Sequence, residues 1–152
     1  MPTLQRLQFT TTIAAPPAHV AALMTHPESY RQWTVPFCEG SRFEGSWAPG
    51  ARIRFLAPNG DGMVAEIAEH RPAAFISIRH LGWIVQGQDD TTSERVRAWA
   101  PAYENYSFTA IEGGTLLVVD QDMTGEYVDY MQRTWPLALA ALKALCEQAP
   151  EA

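Results

Sequence analysis

Four titratable side chains in the middle of the chain are candidates for acid–base chemistry: Glu66, Arg79, His80 and Tyr106. Such chemistry requires a group that can exchange a proton and that a cleft holds against the substrate. Histidine is the usual residue for this role, but a lone histidine beside an arginine is more often a hydrogen-bonded structural residue. The presence of these four residues therefore does not by itself predict a catalytic site.

Motifs for other kinds of chemistry are missing from the sequence. There is no serine nucleophile elbow, no cysteine paired with a histidine and no glycine-rich loop that would cradle a phosphate. Gly60-Asp61-Gly62 and Gly113-Gly114 are typical of tight turns. The four histidines have neither helical i, i+4 spacing nor a nearby cysteine pair. We therefore expect no structural zinc and no cofactor.

Aromatic and methionine side chains suit a different task, the binding of a small hydrophobic molecule. They offer large or adaptable apolar contact areas, and tyrosine adds a hydroxyl that can orient a ligand. Each of them could equally fill the core, so the prediction concerns the group. The candidate ligand-binding residues are these apolar and aromatic side chains and one histidine: Trp33, Phe55, Met63, His80, Tyr106, Phe108, Met123, Tyr127, Met131 and Trp135.

The candidates fall on predicted strands and helices. Residues Leu7 to Ile13 alternate apolar and polar side chains, as a half-buried strand does, and two short helices are predicted before Trp33. Turns that separate the later strands are short, which predicts antiparallel pairing. These later strands are predicted at 51–57, 63–69, 74–81, 103–112 and 115–123.

The inward face of two strands matters for the candidates. In 115–123 the odd-numbered residues are predicted to face the core, because the even-numbered ones include two aspartates. Leu116 and Val118 then face outward, where a sheet edge or a homodimer contact could cover them. In 75–80 neither alternate set is clearly apolar, so the sequence does not decide whether His80 faces inward.

A long connection interrupts the strands between residues 82 and 101. Thr92 or Ser93 could cap a short helix there, with Val96 and Trp99 on one side. A connection of this length is often a lid or a binding element. The alternative is a surface decoration in which Trp99 covers the sheet edge.

The clearest element is a helix from Glu126 to Gln148, with Thr124 as its predicted cap. At 1.5 Å per residue it would extend roughly 33 Å, enough to lie across a whole sheet. Pro136 removes one hydrogen bond inside it, which predicts a bend. Its apolar stripe is predicted to be Tyr127, Met131, Trp135, Ala138, Leu142 and Leu145.

Bulk composition excludes several classes of protein. The 152 residues suit one domain, predicted to span 1–152, and 47% hydrophobic with 18% charged residues indicates a globular chain. A net charge of −6 argues against nucleic acid, and no apolar run reaches the ~20 residues that span a bilayer. Cys38 and Cys146 are predicted to be free buried thiols in a reducing cytoplasm.

Several segments resemble a known superfamily. Residues 9–16, Phe-Thr-Thr-Thr-Ile-Ala-Ala-Pro, and 30–34, Tyr-Arg-Gln-Trp-Thr, resemble the opening of SRPBCC (START-like) proteins. They are most similar to the branch related to the C-terminal domain of the activator of the heat-shock chaperone ATPase. The resemblance covers nearly the whole chain and continues at 39–41, 78–82, 103–106 and 134–139. It implies an α+β helix-grip (Bet v 1-like) fold: a curved antiparallel sheet, two short helices after strand one and a long C-terminal helix packed across the sheet.

The same resemblance implies a cavity between that helix and the sheet. The leading hypothesis is a binding protein for a small hydrophobic molecule, held against the helix before Pro136, with ordinary core beyond it. One alternative is a polyketide cyclase-like or hydrolase-like enzyme acting near His80 or Glu66. Another is an interaction protein like the chaperone ATPase activator. Turnover that disappears in His80→Ala, or a changed chaperone ATPase rate, would favour these alternatives.

Overall fold

In the computed structural model, which describes residues 4–148, eight antiparallel strands form one curved sheet. The strands are β1 Leu4–Ile13, β2 Arg42–Gly45, β3 Arg52–Leu56, β4 Gly62–Arg71, β5 Phe75–Val85, β6 Gln88–Asp90, β7 Ala102–Ile111 and β8 Gly114–Thr124. The helices are α1 Pro17–Thr25, α2 Pro27–Trp33, α3 Glu94–Arg97 and α4 Val128–Glu147, with a 3-10 turn at Gly125–Tyr127 before α4.

Strand order across the sheet is β1-β8-β7-β5-β4-β3-β2, and the short β6 pairs with β5. The last strand, β8, thus lies between the first strand and β7, and the chain then turns into α4. Helix α4 packs against α1, α2 and β1. This arrangement is the predicted α+β helix-grip fold.

Two prolines and one histidine define where the two short helices between β1 and β2 begin. Each helix begins with a proline, Pro17 in α1 and Pro27 in α2, where the missing N–H leaves no bond unmade. The Glu28 amide donates a 3.2 Å hydrogen bond to Nδ1 of His26, which caps α2. The prediction of two short helices is confirmed.

The predicted long connection between 82 and 101 is wrong in its first part. Strand β5 continues to Val85 and turns through Gln86 and Gly87 into β6, which the sequence reading missed. Both turn residues have positive φ, 52° and 77°, the geometry of a tight two-residue hairpin. The predicted short helix is α3, and Ser93 caps it by accepting a hydrogen bond from the Val96 amide.

Helix α4 begins two residues later than predicted. Thr124 lies at the start of the 3-10 turn, but its hydroxyl makes no capping hydrogen bond. Because a 3-10 turn has fewer residues per turn than an α-helix, Tyr127 leaves the buried stripe and is 41% exposed. Pro136 lies within the helix, and the bend expected there stays a prediction. The buried residues of α4 are Thr134, Trp135, Ala138, Leu139, Leu142 and Cys146.

Burial shows which side chains of β8 and β5 face the core. Leu117, Val119 and Gln121 of β8 are buried, which confirms the predicted inward face. In residues 75–80 of β5 the even-numbered set is inward, and His80 is 3% exposed. Outward-facing Leu116 is only half-buried and stands beside threonines of β1 and β7, so neighbours within the same sheet partly cover it.

Both cysteines are free, but they differ in environment. Cys146 is buried on α4, and this burial raises the pKa of its thiol to about 11. Cys38 is exposed, so the prediction of two buried thiols is wrong for this residue. It lies in the connection after α2, which the alternation rules of helices and strands do not describe. No helix among residues 4–148 is long and apolar enough to cross a membrane.

A polar clasp ties the end of α4 to the end of β1. The Glu147 carboxylate accepts hydrogen bonds from Lys143, at 2.6 Å, and from the Ala14 amide, at 2.8 Å. Lys143 also donates to the Thr12 carbonyl. The lysine hydrogen bond and the amide both lower the pKa of Glu147 below its usual value.

We expect Glu147→Gln to lower the melting temperature near neutral pH but not in acid. Because the folded-state pKa is lowered, the carboxylate contributes stability above its unfolded pKa. That contribution is lost as the pH falls through the lowered pKa. Melting curves of both proteins across this range should therefore converge in acid. Glu112→Gln, on an exposed turn, is the matched control, and a constant difference at every pH would contradict the clasp.

Candidate functional site

A cavity of about 490 Å³ lies between the inner face of the sheet and the first half of α4. Helix α2 closes a further side with Tyr30 and Trp33. Met131 and Trp135 of α4 line the side of the cavity opposite the sheet. The sheet contributes side chains from six strands, among them Leu4, Phe55, Met63, Ile78, His80, Ala102, Glu104, Tyr106 and Gln121.

Nine of the ten candidate ligand-binding residues line this cavity. Tyr127, in the 3-10 turn, and Met131, on α4, do so before Pro136, where the site was expected. The exception is Phe108, which is 5% exposed and belongs to the main core. It shares the inward face of β7 but lies beyond Tyr106 and pairs with Leu117. The others are Trp33, Phe55, Met63, His80, Tyr106, Met123 and Trp135.

All five tryptophans of the chain line the cavity. Two of them, Trp33 and Trp135, were among the candidates. Trp47 comes from the connection between β2 and β3, while Trp83 and Trp99 pack together with ring centroids 5.0 Å apart. The segment after α3 therefore borders the cavity through Trp99. This argues against the alternative that the segment is a surface decoration whose Trp99 only covers the sheet edge.

Three polar side chains on the sheet form a hydrogen-bonded group inside the cavity. Nε2 of His80 lies 3.0 Å from Oε1 of Glu104, and the Tyr106 hydroxyl donates to the other carboxylate oxygen. Glu104 and Tyr106 are two residues apart on β7 and so share its inward face. His80, on the neighbouring β5, pairs with Ala102 and reaches Glu104 diagonally.

The Tyr30 phenol faces this group from α2. Burial raises the pKa of Tyr30 well above its usual value, and the negative charge of Glu104 adds to that effect. The phenol therefore stays protonated and can donate a hydrogen bond to a ligand. Its ring packs edge-on against Trp33, with centroids 5.6 Å apart, and against Phe43, at 5.2 Å.

Trp135 connects the helix to both the sheet and the aromatic wall. Its indole N–H donates a 3.2 Å hydrogen bond to Oε1 of Gln121 on β8. Its ring packs edge-on against Phe37 at 4.9 Å and lies 6.1 Å from Tyr106. Because both the polar and the apolar parts of the side chain are satisfied, Trp135 is held in one position.

Two of the four titratable candidates lie outside the cavity. Glu66 and Arg79 face each other across β4 and β5 and form an ion pair. Both side chains are partly exposed on the outward face, so neither can act on a molecule in the cavity. The expectation of an enzyme acting near Glu66 is wrong for this reason.

Glu104 is the main site residue that sequence reasoning missed. Its signal is its parity with Tyr106: once Tyr106 is placed inward, Glu104 must follow. An isolated carboxylate is normally assigned to the surface, and its partner His80 is on another strand. Within residues 4–148, no group of three or more metal-ligating side chains could hold a metal ion.

Neither a family model nor a curated protein matches the sequence. Solved structures do match the fold. Protein MLL2253 from Mesorhizobium loti superposes with a TM-score of 0.72 at 17% identity, covering 97% of this chain and 100% of that one. Aha1 from Colwellia psychrerythraea, solved as a dimer, gives 0.70 at 16% identity, covering 94% and 96%.

A third structural match is DynU16, a protein of the dynemicin biosynthetic locus. It gives a TM-score of 0.69 at 18% identity and covers 94% of this chain, which spans 47% of DynU16. At these identities the similarity shows a shared helix-grip fold and no more.

Proposed function

We propose that the protein binds a small hydrophobic molecule in the cavity between α4 and the sheet. The observation that carries this proposal is the cavity itself: about 490 Å³, lined mostly by aromatic and methionine side chains. Sites for small molecules commonly have volumes of about 300–1,000 Å³ and an apolar lining with few polar groups. Here the polar groups of the lining include His80, Glu104 and Tyr106, together with the phenol of Tyr30.

Affinity would come mainly from apolar burial, at about 2.5 kcal/mol for each 100 Å² of ligand surface removed from water. Part of that gain offsets the loss of ligand freedom on binding. The polar groups would fix the orientation of the ligand, since a buried donor or acceptor disfavours poses that leave it unpaired.

We also propose the protein family to which this chain belongs. The sequence resemblance and the structural similarity to Aha1 and DynU16 support a place in the SRPBCC superfamily, in the branch related to the chaperone ATPase activator. A role in chaperone activation has no specific support from the site. The dimer seen for Aha1 makes sedimentation velocity a useful accompaniment to binding measurements.

We expect a Met131→Gln exchange to weaken the binding of hydrophobic molecules about tenfold, because it places an amide against apolar ligand surface. Tryptophan fluorescence should report binding directly, since all five tryptophans line the cavity. A screen of fatty acids, sterols and aromatic polyketides would be read by fluorescence and by thermal shift. At a hundredfold excess over Kd a ligand adds about 2.7 kcal/mol of stability.

Leu137→Gln is the matched control for this exchange. Leu137 is 62% exposed on the same helix and does not line the cavity. Equal binding by the wild type and both variants would mean that ligands bind elsewhere. If no compound in the screen stabilises the protein, the proposed function fails.

An enzyme is a second candidate, favoured by one observation. While Nε2 of His80 contacts Glu104, the other ring nitrogen, Nδ1, is buried without a hydrogen-bond partner among the described residues. A carboxylate-oriented imidazole with one free nitrogen is an arrangement that general bases use. Turnover of a ligand from the screen that disappears in His80→Gln, with the fold intact, would establish it.

A further inference from the structure

We propose that the cavity selects hydrophobic molecules that carry a positively charged amino group, which sits near the carboxylate of Glu104. This inference rests on the proposed function and adds the chemical class of the ligand. It follows from how charge is distributed along the lining, from what surrounds Glu104, and from the aromatic rings beside it.

Glu104 is a largely buried charge in the lining of the cavity. Its side chain is only 18% exposed, and its hydrogen-bond partners are the Tyr106 hydroxyl and Nε2 of His80. Among residues 4–148 no lysine or arginine forms an ion pair with it. Tyr106 is neutral, and His80 compensates the charge only when it is protonated. A ligand cation would therefore gain a strong attraction in a poorly solvated place.

The remaining charges of the lining favour the same sign of ligand. Besides Glu104 the lining contains two more carboxylates, the largely buried Asp122 and the exposed Glu126. Asp122 is neutralised by Arg6, whose Nε is 2.9 Å away. The single arginine of the lining, Arg95, is exposed on α3. An anionic ligand such as a fatty acid would thus meet Glu104 without an inner cation to receive it.

Aromatic faces near Glu104 add a second attraction for a cation. Tyr106 donates to the carboxylate and lies 6.1 Å from Trp135, and Phe55 lies 5.8 Å from His80. The Tyr30 ring is 6.0 Å from Phe55, so four aromatic side chains border the region. The face of an aromatic ring is negative, and it attracts an ammonium group more strongly when water is excluded.

The test uses three matched ligands on a rigid adamantane cage: 1-adamantylmethylammonium, 1-adamantylmethanol and adamantane-1-carboxylate. They differ in charge and hardly in size, and they do not absorb where tryptophan is excited. We expect the ammonium to bind at least about tenfold more tightly than the alcohol, and the carboxylate to bind most weakly. The same three head groups on a decyl chain repeat the comparison for a longer shape.

The two proposals fail differently in this series. If the alcohols bind and the ammonium compounds gain nothing, the charge inference is overturned and the proposed function stands. If no compound of either shape binds, the proposed function is overturned as well. These outcomes need only the wild-type protein, so they do not depend on the folding of a variant.

Glu104→Gln assigns the preference to one residue. We expect it to reduce the ammonium-to-alcohol ratio to within about twofold, whereas Glu104→Asp, which keeps the charge, should retain most of the preference. Glu69→Gln is the control, since Glu69 is exposed on β4 and pairs with Arg71 away from the cavity. A preference that persists in a folded Glu104→Gln would overturn the assignment to Glu104.

Discussion

Truncating Trp135 to alanine is expected to lower the free energy of unfolding by about 3–5 kcal/mol, the range for removal of a large buried aromatic side chain. Trp135 is 2% exposed and contacts aromatic rings from β1, α2, β7 and the connection after α2. Its loss also leaves Gln121 without its hydrogen-bond donor. Because one side of the ring already borders a cavity, we expect a value near the lower end.

Urea unfolding with an unchanged slope would measure this loss. Leu137→Ala is the control on the same helix, because Leu137 is 62% exposed and should change stability by no more than about 0.5 kcal/mol. A loss below about 1 kcal/mol for Trp135→Ala would mean that this residue does not anchor the helix to the sheet.

Leu142→Ala is expected to lower the free energy of unfolding by about 2–5 kcal/mol but to leave ligand affinity within about twofold of the wild-type value. Leu142 is fully buried on α4 beyond Pro136 and does not line the cavity. The exchange therefore removes core packing without changing the surface that a ligand would touch. Unfolding in urea and binding of 1-adamantylmethanol give the two quantities.

Leu145→Ala provides the comparison for Leu142, since Leu145 is only partly buried in the same half of α4 and should cost less. A change in affinity of more than about tenfold in Leu142→Ala would show that the second half of the helix also shapes the cavity. Equal stability losses for Leu142 and Leu145 would contradict their difference in burial.

Long periodic segments were predictable from the sequence, whereas short pairings were not. The alternation of β1 and β8 and the stripe of α4 each involve many residues, so their period is clear. Strand β2 has four residues and β6 only three, too few to establish a period. The start of α4 was misplaced because a 3-10 turn precedes it, and the ends of helices are not defined by side-chain period to within one or two residues.

The apolar part of the candidate site was predictable, and its polar centre was not. Aromatic residues on inward faces, such as Tyr106 and Trp135, follow from strand parity and helical period. The contact between His80 and Glu104 depends on the register of β5 against β7, which one sequence does not specify. His80 was also on the strand whose inward face the alternation left open.

The attachment of α4 has a consequence for the size of molecule that the proposed binding site would accept. Among the described residues, no backbone–backbone hydrogen bond joins α4 to another element. The helix is held by side-chain packing and by contacts such as Tyr130 to the Phe37 carbonyl and Lys143 to the Thr12 carbonyl. An outward shift of α4 would therefore leave the hydrogen-bond ladder of the sheet intact, but it would have to break side-chain contacts such as these. If the proposed ligand binds here, the packing of α4 would set the tolerance for ligand volume, and tighter packing would narrow the range of ligands.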